Sequence, residues 1–334
     1  MAKIFGMDLG TANTLICHKQ QIILRAPSIA VVSEDDREVV ALGKSARSML
    51  GKTPEGLSAV RPLKGGVITD YEIATKMVRG YLEQVNAFSI FSRPIVIVCV
   101  PYKANPVERR ALEDVIFEAG ARNVALIDEP LAAALGTGLR VGANRGSMIM
   151  DIGGGSSEVA VISNGGIVAS SSVRVAGDSF DSAIVDYVKS ERNALIGEAT
   201  AEQIKLKCGA AHPAFDSGEM QVAGRNLLSG MGCVLTVTSG EVREAISPNL
   251  DKIVNSVKHT LERTPPELAA DVYDYGIMLT GGSSRLRGLA LTLQEKLGIR
   301  VTVTKSPFDA VCNGIMRVME SEGRYGDLLR YRAR

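Results

Sequence analysis

The sequence predicts an α/β protein of two halves built on one plan, each a sheet covered by helices on both faces and interrupted by a smaller insertion. Three observations predict it: a strand meander that occurs twice, an alternation of helix and strand patterns after each copy, and two stretches that break the alternation.

The first meander is an apolar run at Ile4 to Met7, then Asp8-Leu9-Gly10-Thr11, a run at Thr14 to Cys17, a polar turn, and a third run at Ile22 to Leu24. Short apolar runs joined by tight turns read as three strands. The layout returns at Met148-Ile149-Met150, Asp151-Ile152-Gly153-Gly154-Gly155-Ser156-Ser157, Val159 to Ile162, a turn at Ser163 to Gly166, and Ile167 to Ala169. One repeat at so long a spacing points to duplicated domains rather than a solenoid.

Helices follow each meander. Thr69-Asp70-Tyr71-Glu72 is a capping box before the stripe Ile73, Met77, Val78, Tyr81, Leu82 and Val85. Asn105-Pro106-Val107-Glu108 opens a second helix that stops at Gly120. The runs Ile95 to Val100 and Val124 to Ile127 supply strands around it, and in the second half Leu286, Leu289, Leu293 and Leu297 form a helical stripe before a strand at Val301 and Val303. The halves are therefore expected at 1–145 and 146–334, with insertions at about 33–75 and about 182–238 and C-terminal helices at about 308–334 packing back on the first half.

Composition bounds what this protein can be. Hydrophobic residues are 46% and charged residues 22%, which fits a folded chain with real cores. Thirty-eight basic residues against 37 acidic ones leave a net charge of +1, so nucleic acid is not expected as a partner. Five scattered cysteines without a CxxC pair and three isolated histidines suggest neither a disulfide framework nor a zinc site, and fit a reducing cytosol. Neither a signal peptide nor a membrane span is expected, because a charge arrives by Asp8 and the longest aliphatic run is Ile95 to Val100.

Chemistry is concentrated in the glycine loops. Asp8 and Asp151 each end a strand ahead of glycines, and a backbone free of Cβ atoms can wrap its N–H groups around phosphate oxygens. Facing each other, the two loops could hold a polyphosphate, with both carboxylates on its hydrated Mg²⁺. A third loop, Thr280-Gly281-Gly282-Ser283-Ser284, is expected to open the leucine-striped helix and seat a nucleotide's α-phosphate and sugar. Any one loop alone is as readily a tight turn; three together favour nucleotide binding. GxxxxGK[ST] and a GxGxxG after the first strand are both missing, which argues against P-loop and Rossmann sites.

Asp8-Leu9-Gly10-Thr11-Ala12-Asn13-Thr14, Asp128-Glu129-Pro130-Leu131-Ala132-Ala133-Ala134, Asp151-Ile152-Gly153-Gly154-Gly155 and Leu279-Thr280-Gly281-Gly282 resemble the phosphate, connecting and adenosine motifs of the actin, Hsp70 and sugar-kinase superfamily. Ala176 to Asp181, Gly224-Arg225-Asn226 and Glu262 to Leu268 narrow the resemblance to the bacterial actin MreB/Mbl-type family, over essentially the whole chain. The resemblance implies an actin-like ATPase fold, two duplicated RNase H-like domains each with a smaller inserted subdomain.

It also implies ATP and Mg²⁺ as cofactors. Asp8 and Asp151 would be the metal residues, Glu129 would orient the attacking water with help from Ser157, and Glu202 with Lys205 would contact the adenosine. Gly10, Thr11, Ala12, Asn13, Gly153, Gly154, Gly155, Gly281, Gly282 and Ser283 would line the nucleotide. Ser156-Ser157 stands where the family usually has two threonines, and Ser283-Ser284-Arg285 replaces glycine and small or apolar residues.

The implied function is a membrane-associated filament, self-assembled from ATP-bound subunits, that organises cell shape and cell-wall synthesis from the cytoplasmic face of the membrane with cell-wall synthesis and shape proteins as partners. The family touches the membrane with an apolar loop, here Phe88, Ile90 and Phe91. The basic tail, with Arg324, Arg330, Arg332 and Arg334, could touch anionic lipid or stay solvated. The alternatives are a sugar or acetate-type kinase, which needs a substrate base, and an Hsp70-like chaperone, which needs a peptide-binding region; neither feature is evident.

Overall fold

The computed structural model describes residues 3–89, 92–321 and 325–333. The first half begins with β1 (Ile4–Leu9), β2 (Asn13–His18) and β3 (Gln21–Pro27). A small sheet follows, β4 (Ala30–Ser33), β5 (Val39–Leu42) and β6 (Leu57–Val60) around α1 (Gly43–Met49), then a hairpin of β7 (Leu63–Lys64) and β8 (Val67–Ile68). The chain returns through α2 (Tyr71–Gln84), β9 (Ile95–Val100), α3 (Pro106–Glu118), β10 (Asn123–Asp128) and α4 (Glu129–Thr137).

The second half repeats the meander as β11 (Ser147–Ile152), β12 (Ser157–Ser163) and β13 (Gly166–Val173), followed by α5 (Gly177–Arg192). Its smaller part holds β14 (Ala194–Leu195), α6 (Glu198–Lys207), β15 (Glu219–Asn226) and β16 (Gly232–Thr238). Then come α7 (Ser239–Glu262), α8 (Pro266–Tyr275), β17 (Ile277–Thr280), α9 (Leu289–Leu297), β18 (Val301–Val303), α10 (Ala310–Glu320) and β19 (Arg330–Ala333).

The two main sheets share one topology. The first runs β19-β10-β9-β1-β2-β3 and the second β13-β12-β11-β17-β18. In each, the meander is antiparallel, and two further strands join its first strand in parallel: β9 and β10 beside β1, β17 and β18 beside β11. Parallel strands need crossover helices, and those helices cover the faces. One face of the first sheet packs Met77, Tyr81, Leu82 and Ile116 of α2 and α3. Its other face contributes Ile97 and Ile127 to a core that also takes Leu131 of α4, Ile315 of α10, and Ile149 and Ile162 of the second sheet. The two halves thus share an interior, with α4 and α10 between the sheets.

Some elements lie elsewhere than the sequence indicated. The first small sheet spans 30–60 and the hairpin ends at Ile68, whereas α2, read from the sequence as partly within the insertion, packs on the first main core. Among its described residues the C-terminal stretch holds α10, a 3₁₀ turn at Gly326–Leu328 and a strand, rather than helices alone. β19 pairs antiparallel with β10, Arg330 to Leu126 through Ala333 to Asn123, and completes the first sheet. Two of its arginines have carboxylate partners: Arg330 lies 3.4 Å from Asp128, and Arg332 donates to Glu113 and Asp114, each at 2.9 Å. Arg324 and Arg334 fall outside the described residues.

Candidate functional site

Between the halves lies a cleft of about 590 Å³, within the range of small-molecule sites. Gly10 to Asn13, Gly153 and Gly154, and Gly281 to Ser283 line it from three sides, with Asp8, Asp151 and Glu129 at its inner end and Glu202 and Lys205 on α6. Gly155 and Ser156 line a chamber of about 60 Å³ that continues behind the same loops, and Glu129 borders both spaces. Such a chamber has room for water.

The first two loops press on each other across the halves. A Cβ on Gly154 would stand 2.6 Å from Ala12 Cβ, and one on Gly155 would stand 2.5 Å from Thr11 Oγ1, so only glycine permits this approach. Carbonyls of both loops accept hydrogen bonds. Gly177 N–H and Ser283 Oγ–H donate to Gly153 O at 3.2 and 2.6 Å, and Asp178 N–H donates to Gly154 O at 2.8 Å. On the other side, Ser28 Oγ–H donates to the Gly10 carbonyl at 2.7 Å and Thr11 Oγ1 accepts Gly66 N–H at 2.9 Å. The N–H groups of Thr11, Ala12, Gly154 and Gly155 have no partner among the described residues. Four unpaired donors on two touching loops form a concave anion nest.

The carboxylates beneath this nest are costly to keep charged. Burial pushes the Asp8 carboxyl up to about 7. Burial, and then the charges of Asp8 and Glu158, push Asp151 up to about 8. Burial also raises Glu129 well above the usual carboxylate range, with Glu158, Asp151 and Asp8 adding to it. Asp8 and Asp151 have no ion-pair partner among the described residues. Two hard oxygen donors on an otherwise uncompensated site suit a cation that keeps its own waters, and Mg²⁺ is such a cation.

Several assignments change against the sequence reading. Ser157 is fully buried and donates its hydroxyl to the Val175 carbonyl at 2.6 Å, so it does not face the cleft; Ser156 lines the chamber beside Glu129 instead. The third glycine loop does not open the leucine-striped helix. It forms a 3₁₀ turn at Gly282–Arg285, and α9 starts only at Leu289 after Gly288. Lys205 donates to Asp181 and to the Gly177 carbonyl, while Glu202 pairs with Arg47 from the first half. Phe88 is half-buried against the first core, its ring close to Gly120, and Ile90 and Phe91 lie outside the described residues. Among the described residues no helix is long and apolar enough to cross a membrane.

Sequence reasoning missed Glu158. It is 4% exposed, sits opposite Asp151 in the β11–β12 ladder, and its carboxyl is pushed up to about 7, mainly by burial. The available signal was a charge at the start of the apolar run Val159 to Ile162, in register with Asp151 across the turn. Asp178, inside the motif Ala176 to Asp181 but with no role read for it, and Arg47, which carries no sequence signal, are both on the cleft wall.

Two like-built α/β halves that enclose a glycine-lined cleft define the actin-like class. Solved structures agree: MreB5 of Spiroplasma citri bound to ADP superposes with a TM-score of 0.92 at 32% identity, covering 98% of this chain and 99% of that one. The same protein bound to AMPPNP gives 0.92 at 33%, covering 98% of each. A MamK double helical filament subunit gives 0.81 at 21%, covering 96% and 99%, a likeness of fold alone. The MreB/Mbl protein family model matches residues 2–326. Cell shape-determining protein MreB of Escherichia coli (strain K12) is 47% identical over 96% of this chain and 94% of its own length. Cell shape-determining protein Mbl of Bacillus subtilis (strain 168) is 42% identical over 94% of both. The chain belongs to the MreB/Mbl family of bacterial actin-like, cell shape-determining proteins, and the kinase and chaperone alternatives are not favoured.

Proposed function

We propose that this chain binds an adenine nucleotide with Mg²⁺ between its halves, hydrolyses ATP, and assembles into filaments beneath the cytoplasmic membrane that organise cell shape and cell-wall synthesis. The observation that carries the nucleotide reading is the pair of touching loops, whose N–H groups at Thr11, Ala12, Gly154 and Gly155 have no partner among the described residues and which share a cleft with Asp8 and Asp151. The relatives bound to ADP and AMPPNP support the same reading.

In this reading the N–H groups of Thr11, Ala12, Gly154 and Gly155 take the phosphate oxygens, and Asp8 and Asp151 hold Mg²⁺, which when bound neutralises phosphate charge. Glu202 and Lys205 on α6 and Gly281 to Ser283 hold the nucleoside end. Glu129, on the wall between cleft and chamber, accepts a hydrogen bond from a water and aims its oxygen at the γ-phosphorus. The new P–O bond forms as the bond to the β–γ bridging oxygen breaks, and the water's proton leaves with the phosphate or through Glu129. Phosphoryl transfer needs mainly positioning and charge neutralisation, so one orienting carboxylate is enough. Ser156 is the hydroxyl placed to assist, in place of Ser157.

Phe88 packs in part on the first core, so we assign the membrane contact mainly to Ile90 and Phe91, with cell-wall synthesis and shape proteins as the assigned partners. Sedimentation of the purified chain tests the whole proposal. Polymer should pellet with Mg²⁺ and ATP and release phosphate, and a chain that neither binds nor turns over ATP would overturn it.

A further inference from the structure

Two ion pairs join the halves across the mouth of the cleft. Arg47 of α1 meets the Glu202 carboxylate of α6, and Arg61, just after β6, lies 3.6 Å from Asp178 of α5. Arg47, Glu202 and Asp178 all line the cleft itself. The Arg47 side chain has no other partner among the described residues, and neither has that of Glu202.

Glu202 is in acidic company. Asp178 and Asp181 lie close enough that its charge raises both of their carboxyls, after the larger effect of burial, while Lys205 is spent on Asp181 and the Gly177 carbonyl. Without Arg47, the Glu202 side chain faces like charges on its own half with no cation to hold it, and it would swing toward solvent. A guanidinium suits the task because its fixed fork sets a carboxylate's direction as well as its charge. α1 is a firm base, since Ala46 is fully buried beneath it in the small core with Ile29 and Val31.

We propose that Arg47 is a positioning residue of the nucleotide site, contributed from the opposite half, which holds Glu202 where its carboxylate accepts hydrogen bonds from the sugar hydroxyls of a bound nucleotide. The inference rests on the nucleotide reading above and deepens it.

The test is calorimetric titration of the full chain, with Mg²⁺, by ADP, 2′-deoxy-ADP and 3′-deoxy-ADP, for the native chain, Arg47→Ala and Arg47→Lys. The native chain should prefer ADP to at least one deoxy analogue. Arg47→Ala should bind ADP about two- to fivefold more weakly, the scale of an exposed ion pair, and should lose most of that preference, while Arg47→Lys restores part of it. Melting temperatures should be equal. Arg47→Ala with native affinity, or with equal losses for all three nucleotides, would overturn the inference, as would a native chain indifferent to both hydroxyls; each leaves the nucleotide reading intact. A native chain that binds no ADP would overturn both.

Discussion

Gly136 of α4 and Gly314 of α10 each lie against the backbone of the other's helix. A Cβ on Gly136 would stand 1.7 Å from the Ala310 carbonyl oxygen, and one on Gly314 would stand 1.8 Å from that of Ala132. This crossing is the floor of the cleft: α4 begins at Glu129, and Val311 of α10 lines the cavity. Neither backbone can yield without moving a helix between the sheets. Gly314→Ala should therefore destabilise the chain by about 3 kcal/mol, toward the upper end of overpacking costs, and urea unfolding will measure it.

Stability should depend on pH in an unusual direction. Asp8 at about 7, Asp151 at about 8 and Glu158 at about 7 all bind protons more tightly folded than unfolded. Between their unfolded values near 4 and these folded values, the folded state holds the extra protons, so stability falls as pH rises through that window. The nucleotide-free chain should melt on the order of a few °C lower at pH 8.5 than at pH 6. Mg²⁺ with nucleotide should flatten the slope, since a bound cation favours the charged carboxylates. Scanning calorimetry across this range is the check, and a rise in stability toward pH 8.5 would contradict it.

Much of this was legible in the residues, for definite reasons. Asp8 and Asp151 are found by eye because each ends an apolar run before glycines. Asp70 and Asn105 mark helix starts through side chains that accept from Ile73 N and from Val107 and Glu108 N. Local patterns of this kind survive folding unchanged. What failed was non-local. The resemblance implies a water-assisting role for Ser157, but strand pairing turns its hydroxyl to Val175; a helical tail is expected where β19 lies because its pairing with β10 is set by residues far away in sequence. The Arg47–Glu202 pair spans both insertions and has no sequence pattern at all.

Removing one of the two inner carboxylates should separate metal-dependent from metal-free binding. Asp151→Ala leaves the loop N–H groups in place but removes one of the two carboxylates assigned to the cation. Mg-ATP affinity should drop by about tenfold or more, while affinity for ATP in chelator changes little or improves, because a repulsive charge has gone. Titrations with and without chelator decide it, and equal Mg-ATP affinity in both proteins would refute the metal assignment.

Glu129→Ala should leave nucleotide binding close to native and slow phosphate release by about a hundredfold, since an orienting group acts mainly in the transition state. Filaments should form and last longer. Single-turnover release at saturating ATP measures this directly. Ser157→Ala is the informative companion: its hydroxyl is bound to Val175, so it should cost stability rather than rate, whereas Ser156→Ala should slow turnover.

The membrane contact proposed for the stretch 88–91 can be separated by mutation from the packing of Phe88. Phe88 packs on the first core with its ring 2.7 Å from where a Gly120 Cβ would be, so Phe88→Ser removes buried area and should cost about 2–4 kcal/mol of stability. Ile90 and Phe91 carry the membrane assignment. Each subunit then offers a small apolar area, worth a few kcal/mol at most at about 25 cal/mol per Å², so a single anchor binds weakly and reversibly. A filament presents many copies on one face, and linking them converts weak anchors into firm attachment with no new contact. Binding should therefore require assembly. Liposome co-pelleting with ATP should be strong for the native chain and lost in the Ile90→Ser, Phe91→Ser double variant, whose lipid-free assembly and melting temperature stay native. A double variant that pellets with liposomes as well as the native chain would remove the membrane role from this loop.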